Sequence, residues 1–284
     1  MSSIKNIFLL LATLLSVTTS QCALALDFTE TWSRLGDKWS QLDKRDKVLY
    51  SNLGGVLLIS AWGVANWDYF EGSPHADTEG WFEKDTTSGG ADKLGHLYSA
   101  YVASHALSSL YESWGYGSRE AALYAAWSSF GLHAFVEAGD SMSATYGFSY
   151  EDMIIGSLGS YLGYLTDTNP DLARKLDLRL EYDPTGDNDT DIFTDYENSK
   201  YLVALKLDGF ESVRNKYLKY LELHLGYYTR GFDNPSEKNT RKIYLGIGIN
   251  LSRIFAERSH RKTATFLKYF QVPYTYVEFD NDIN

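Results

Sequence analysis

The sequence predicts an α+β protein in which about four long helices precede a small antiparallel β-sheet. Residues 48–165 contain long, sparsely charged segments with helical spacing, whereas residues 199–284 alternate between apolar and polar side chains. An acidic stretch with Pro184 and Gly186 separates the two regions. Helical and strand periodicities that occupy separate parts of a chain are typical of an α+β fold.

The chain divides into four parts. The predicted ranges are 1–25 for a signal peptide, 26–170 for a helical domain, 171–198 for an acidic linker and 199–284 for a β region. Lys5 precedes an apolar run, and Ala23-Leu24-Ala25 follows it, which is the pattern of a secretory leader cleaved after Ala25. We therefore expect an exported protein of the periplasm or the outer membrane.

The single cysteine, Cys22, lies inside the predicted leader. Cleavage after Ala25 would leave a mature protein without a thiol, a disulfide or a thiolate metal site. Acylation of Cys22 is the alternative. It is less favoured, because Gln21 and Thr19 stand where a lipoprotein signal carries a small and an aliphatic residue.

The composition restricts the partners. The formal net charge of −11 argues against nucleic acid, whose phosphates require a basic surface. The chain contains 22 Tyr and 7 Trp residues, amphipathic rings that are enriched at membrane interfaces and also occur on the surface of large bundles. The expected partners are a bacterial-type envelope membrane and a lipid, a glycan or another envelope protein.

The helical domain begins with two apolar segments. Residues 28–47 show amphipathic helical spacing. Residues 48–67 carry no charge and are long enough to span a bilayer, although Asn52 and Asn66 make a buried core helix equally consistent. Residues 71–90 are polar, contain Gly and Pro, and predict a loop that covers the site that follows.

Three further helices are predicted. They run from near Asp92 to Tyr111, from Ser118 to Glu137, and from Ser149 to about residue 165. Asp92, Ser118 and Ser149 are the expected N-terminal capping residues. Within the last helix, Asp152 shares a face with Gly156, Gly159 and Gly163, which allows another helix to approach closely.

Polar residues lie at the ends of these helices. The candidate site comprises Asp92, Lys93, His96, Glu137, Asp140 and Asp152. If the helices are antiparallel, one end of the bundle gathers His96, Glu137 and Asp152, with Lys93 or Asp140 at the rim. One imidazole and several carboxylates suit a divalent metal or acid–base chemistry. His96, Glu137 and Asp152 would then be the metal ligands.

The same residues carry a family resemblance. The segment Asp92-Lys93-x-x-His96, the later Glu137, and Asp152 followed by glycines resemble the YfiM-like periplasmic lipoproteins and, more weakly, the VanZ-like proteins. The resemblance covers about residues 48–165 and implies an exported helical protein without an established activity. The VanZ-like pattern has Gln and Arg where this chain has Asp140 and Ser141, so glycopeptide resistance is not implied.

A purely structural interpretation of the cluster is favoured. It treats the acids as helix caps and ion-pair partners and His96 as a buried core histidine. The sequence lacks a Gly-x-Ser-x-Gly elbow, a phosphate loop and a His-Glu-x-x-His motif. A non-catalytic, membrane-associated binding or structural protein is therefore preferred. The alternative is a metal-dependent hydrolase or transferase that acts on an envelope lipid or glycan.

The remaining chain predicts a linker and a sheet. Asp187, Asp189 and Asp191 imitate a calcium loop, but Ile192 occupies the position that requires Gly. Alternation over residues 221–227 and 243–251 predicts a hairpin, and strands are expected at 201–207 and, at a sheet edge, 272–279. Four strands cannot close a membrane barrel, so their aliphatic face must pack on the helices, on lipid or on a second copy.

Overall fold

The computed structural model describes residues 36–183, 191, 193–232 and 236–283. The chain forms two compact units, Met1–Lys47 and Val48–Asn284. The signal peptide with Cys22, residues 28–35 of the amphipathic segment, and Asp187 and Asp189 lie outside the described part. Within the first unit, residues 36–41 are helical.

Four long helices are present, as predicted. They are α1 (Lys44–Asn66), α2 (Ala91–Ser113), α3 (Ser118–Asp140) and α4 (Tyr150–Thr168). A short helix, α5 (Pro170–Lys175), follows at once, because Asn169 ends α4 and its side chain caps α5. Two further short helices, α6 (Leu251–Glu257) and α7 (Arg261–Phe266), lie near the end of the chain.

The sheet has five antiparallel strands, and together with the helices it confirms the α+β prediction. The strands are β1 (Leu176–Tyr182), β2 (Ser199–Lys206), β3 (Leu221–Arg230), β4 (Thr240–Ile249) and β5 (Tyr276–Asp282). Their spatial order is the sequence order, so β1 and β5 form the edges. The predicted hairpin is the β3–β4 pair, in which Leu225 lies opposite Leu245.

Strand β1 was not expected from the sequence. It lies in the segment predicted to be an acidic linker, where α5 also forms. Asp177 and Arg179 misled the prediction, because charged residues are uncommon on the buried face of a strand. Here Arg179 is buried and forms ion pairs with Asp177 and with Glu222 of β3, which allows the charged face to lie inside.

The sheet therefore has the reverse of the usual polarity. Its polar face is buried and holds Arg179, Glu222 and His224. Its aliphatic face is exposed, and a row of apolar side chains crosses it from strand to strand. This row consists of Leu178, Val203, Leu225, Leu245 and Phe279. Leu245 is 62% exposed and Phe279 68% exposed, so the described helices do not cover these side chains. Farther along the same face, Tyr201 and Tyr227 are buried against α2 and the loop before it.

Small residues set the packing of the helices. A side chain at Gly159 would collide with the backbone carbonyl of Leu97, and one at Gly163 with Ser104, so α4 lies directly against α2. Ser149 caps α4 by accepting a hydrogen bond from the Asp152 backbone N–H, as predicted. The expected caps at the other two helices are wrong: Gly90 and Gly117 occupy those positions.

Candidate functional site

Three helices bring polar side chains together at one end of the bundle. His96 lies in the second turn of α2, His133 and Glu137 share a face near the end of α3, and Asp152 lies in the first turn of α4. The tight turn between α2 and α3 makes the two helices antiparallel neighbours. The C-terminal part of α3 therefore meets the N-terminal part of α2, which places Glu137 beside His96.

His96 stands between two carboxyl groups. Its Nδ1 is 4.0 Å from Oε1 of Glu137, and its Nε2 is 3.8 Å from Oδ1 of Asp152. Both separations exceed hydrogen-bond length. Glu137 Oε1 and Asp152 Oδ1 are buried and have no hydrogen-bond partner among the described residues. These two oxygens are the unsatisfied atoms of the cluster.

Asp152 also contacts the second histidine. Nε2 of His133 lies 2.9 Å from the backbone carbonyl oxygen of Asp152. Because a carbonyl only accepts, Nε2 must carry the ring proton in the neutral imidazole, which leaves Nδ1 with a free lone pair. The rings of His96 and His133 pack edge to face with their centroids 5.0 Å apart. The start of α4 thus orients His133 and faces His96.

Glu137 links α3 to the α4 cap. Its Oε2 accepts a hydrogen bond from the backbone N–H of Ser149 at 3.1 Å. Ser149 in turn caps the first turn of α4 through its hydroxyl group. One carboxylate oxygen therefore has a structural role, while Oε1 faces His96.

Lys93 occupies the centre of an acidic group rather than the expected rim. Its side chain is 1% exposed, and its ammonium group contacts Glu79 at 2.5 Å, Asp92 at 2.7 Å and Asp152 at 2.9 Å. Asp92 is thus an ion-pair partner and not a helix cap. Three carboxylates around one ammonium group satisfy the donors of this buried lysine.

Glu79 reaches the site from the loop that precedes α2, the segment predicted to cover it. The position of this loop is fixed by contacts with the connection between α3 and α4: the backbone N–H of His75 donates to the carbonyl of Ser141, and Ala76 forms a bridge with Phe148. Residues distant in sequence thus determine where Glu79 lies.

Burial dominates the electrostatics of the cluster. It raises the pKa of Glu137 to about 9, with further contributions from Asp152 and Asp140. Burial also lowers the pKa of His96 to about 4 and that of His133 to about 3. At neutral pH the cluster therefore contains a protonated Glu137 and two neutral imidazoles when no cation is bound.

The remaining acids respond to the same environment. Burial raises the pKa of Asp140 to about 7, although the nearby hydroxyl group of Tyr69 opposes the shift. Burial and the neighbouring Asp152 raise the pKa of Glu79 to about 7 against the effect of Lys93. For Lys93, burial acts to lower the pKa, but Asp92 and Asp152 outweigh it and raise the pKa.

Two groups of side chains have the donor atoms and spacing of a metal site. One consists of His96, His133 and Glu137, and the other of Glu79, Asp92 and Asp152; within each group the ligand atoms lie within 4.8 Å of one another. The sequence-based set omitted His133 and Glu79. His133 could have been included, because it lies four residues before Glu137 and therefore shares its helix face. No local pattern in the sequence marked Glu79.

Sequence comparison supports an envelope protein and no particular reaction. Residues 78–168 match a family described as predicted periplasmic lipoprotein (DUF2279). The match covers every residue of the cluster and is consistent with export to the periplasm. No curated protein and no solved structure gives a significant match to the chain.

Proposed function

We propose that the chain is a non-catalytic envelope protein that binds a membrane through α1 and the aliphatic face of its sheet. We also propose that the protein is YfiM-like rather than VanZ-like, because the residues after Glu137 differ from the VanZ-like pattern. The observation that carries the proposal is the exposure of α1, which is long and apolar enough to cross a membrane and has only 6% of its most apolar window buried.

The two sides of α1 differ in polarity. The amide of Asn52 donates to the hydroxyl oxygens of Tyr111 at 3.1 Å and Ser128 at 3.0 Å, so this polar group faces the bundle. Leu57 and Leu58 are 69% and 74% exposed on the other side. Polar groups that face a bundle and aliphatic groups that face outward are the arrangement expected of a helix in lipid.

The sheet repeats this arrangement. Buried charged residues on its inner face and exposed aliphatic residues on its outer face match the alternation of strands that contact lipid. The outer face carries no charge in its central rows, where Leu223 pairs with Ile247 and Leu225 with Leu245. The exposed side chains of this face are 38–68% exposed, so contact with lipid would stabilise attachment by a part of the roughly 1.5–3 kcal/mol that complete burial of each provides.

The position of the cluster supports a binding or structural role. Glu137 and Asp152 are almost fully buried. Surface cavities of about 560 and 190 Å³ occur elsewhere and are lined by residues outside the cluster. The second candidate is a metal-dependent hydrolase or transferase that acts on an envelope lipid or glycan. It is favoured by one observation: His96 remains 21% exposed, which gives the cluster contact with solvent.

Fractionation of cells that express the whole chain tests the membrane proposal. We expect the mature protein to stay with the membranes after washes with high salt and with sodium carbonate. A Leu57→Glu/Leu58→Glu variant should be released, whereas Tyr217→Glu, at a loop position that is 70% exposed, should not. Quantitative release of the unaltered protein by either wash would contradict the proposal.

A further inference from the structure

One unsatisfied oxygen of the cluster, Oε1 of Glu137, belongs to a side chain that lies beside two histidines. Glu137 Oε1 has no hydrogen-bond partner among the described residues, although the side chain is only 1% exposed. A buried polar atom without a partner is costly and rare in native structures. One ligand atom from each of His96, His133 and Glu137 lies within 4.8 Å of the other two. Zinc ligands, at about 2.0–2.2 Å from the ion, lie somewhat closer together than this, so a small inward movement would suffice.

We propose that His96, His133 and Glu137 bind one first-row divalent transition-metal ion, for which Zn²⁺ is the test ion, and that Asp152 orients both histidines. Two imidazoles and one carboxylate suit such an ion better than Ca²⁺ or Mg²⁺, which prefer oxygen ligands. This inference is independent of membrane attachment.

The hydrogen-bonding of the histidines matches this assignment. Ligating histidines usually donate their second ring N–H to a carbonyl or a carboxylate. His133 meets this condition through the carbonyl of Asp152, which leaves its Nδ1 for the ion. In His96, Nδ1 faces Glu137 and Nε2 faces the unsatisfied Oδ1 of Asp152. Binding of the ion at Nδ1 directs Nε2–H toward Asp152.

The structure also distinguishes the two groups of donors. The second group, Glu79, Asp92 and Asp152, already surrounds the ammonium group of Lys93. A metal ion there would have to displace a buried cation that has three ion-pair partners. The histidine group itself contains no cationic side chain. Moreover, the carboxyl groups around the cluster outnumber its one ammonium group, so a divalent cation would reduce the excess negative charge.

The alternative assignment from the sequence, in which Asp152 is itself a ligand, fits less well. Asp152 Oδ1 faces Nε2 of His96, while Glu137 faces Nδ1 of the same ring. One ion cannot bind both nitrogens of one imidazole. His133 supplies the third donor on the Glu137 side because it lies one helical turn before Glu137 on α3.

Calorimetric titration of the mature chain tests the proposal. The protein is purified with a tag that contains no histidine, treated with a chelator, and titrated with Zn²⁺. We expect one ion per chain, at least about 100-fold weaker binding in His96→Ala and His133→Ala, and about 10–100-fold weaker binding in Asp152→Asn. His75→Ala, an exposed histidine on the preceding loop, is the matched control and should bind as the unaltered protein does.

Two further measurements keep the test decisive if an alanine variant does not fold. Glu137→Gln retains an acceptor for Ser149, so it should fold but lose the rise in melting temperature that Zn²⁺ produces. Co²⁺ bound to the unaltered protein should give visible absorption bands typical of nitrogen and oxygen ligation at low coordination number. Lack of a Co²⁺ spectrum, or equal Zn²⁺ binding by the unaltered protein and the histidine variants, would overturn the proposal.

Discussion

Gly156 of α4 lies directly against the imidazole of His133 on α3. A side chain at this position would overlap Nε2 of the ring, which donates to the carbonyl of Asp152 one turn earlier on the same helix. The glycine therefore allows α4 to approach α3 closely enough for that hydrogen bond. The position of His133 therefore depends on a small residue at position 156 of α4.

Replacement of Gly156 should disturb the cluster. Gly156→Ala is expected to lower the free energy of unfolding by about 1–3 kcal/mol, because the methyl group forces His133 to move in a packed interior. Gly131→Ala on α3 is the control: a methyl group there would meet no described atom within 4 Å, so the higher helix propensity of Ala should stabilise it by up to about 1 kcal/mol. Urea unfolding measures both. Equal effects at the two positions would contradict the packing account.

Lys93 should matter more to stability than Glu137. Lys93→Met leaves Glu79, Asp92 and Asp152 without their shared cation, and breaking a buried ion pair costs about 3–5 kcal/mol. Lys268→Met, at an exposed lysine, should change stability by less than about 0.5 kcal/mol. A loss below about 1 kcal/mol for Lys93→Met in urea unfolding would show that the ammonium group is not the main cation of this group.

Glu137→Gln should be mild in the metal-free protein. Its pKa of about 9 implies a protonated side chain at neutral pH, and the amide oxygen still accepts from Ser149. We expect a loss of about 1 kcal/mol or less in urea unfolding. Glu137→Ala removes that acceptor and should cost more, about 1–3 kcal/mol. An equal loss in the two variants would mean that the hydrogen bond to the α4 cap contributes little.

The buried face of the sheet should make the fold sensitive to acid. Burial acts to raise the pKa of Glu222, but its hydrogen bond with His224 and its ion pair with Arg179 outweigh this effect and lower it. The stabilisation is therefore present above the unfolded pKa of about 4.3 and is lost as pH falls through the lower folded value.

Urea unfolding between pH 3 and 6 measures this dependence. The free energy of unfolding should fall more steeply with decreasing pH in the unaltered protein than in Glu222→Gln, which cannot titrate. Parallel curves would show that Glu222 has no lowered pKa in the folded protein. Other carboxylates contribute to both curves, so the difference between them is the relevant quantity.

The sequence determined the helices more completely than the sheet. A helix was predicted from Ser118 to Glu137, because small residues repeat there with helical spacing. The observed helix runs from Ser118 to Asp140. Strand β1 escaped prediction although leucines alternate along it. Its charged residues find partners on β2 and β3, such as Lys206 and Glu222, and such pairing depends on the tertiary fold.

The candidate site shows the same division. Positions on helices could be placed in advance, since residues four apart share a face. Glu79 could not, because its loop is held by contacts with residues 141 and 148, far along the chain. The burial of Lys93 also depends on the convergence of acids from the loop, α2 and α4, which no local pattern reveals.

The N-terminus of the exported protein distinguishes two modes of processing. Mass spectrometry of the envelope form should give a chain that begins at Leu26, as expected from cleavage after Ala25. A chain that begins at an acylated Cys22 would show instead that a lipid anchor holds the protein. An intact leader in the cytosol would reject export.

Site-directed spin labelling measures the membrane contact of the sheet directly. If the leader is cleaved after Ala25, the mature chain lacks Cys22, the one cysteine of the sequence, so Leu245→Cys and Tyr217→Cys would each introduce a single labelling site. In vesicles, a nitroxide at position 245 should be more accessible to oxygen than to a water-soluble nickel chelate. The label at position 217 should show the reverse. A label at position 245 that is as accessible to the chelate as the one at 217 would contradict the proposal that the aliphatic face lies in lipid.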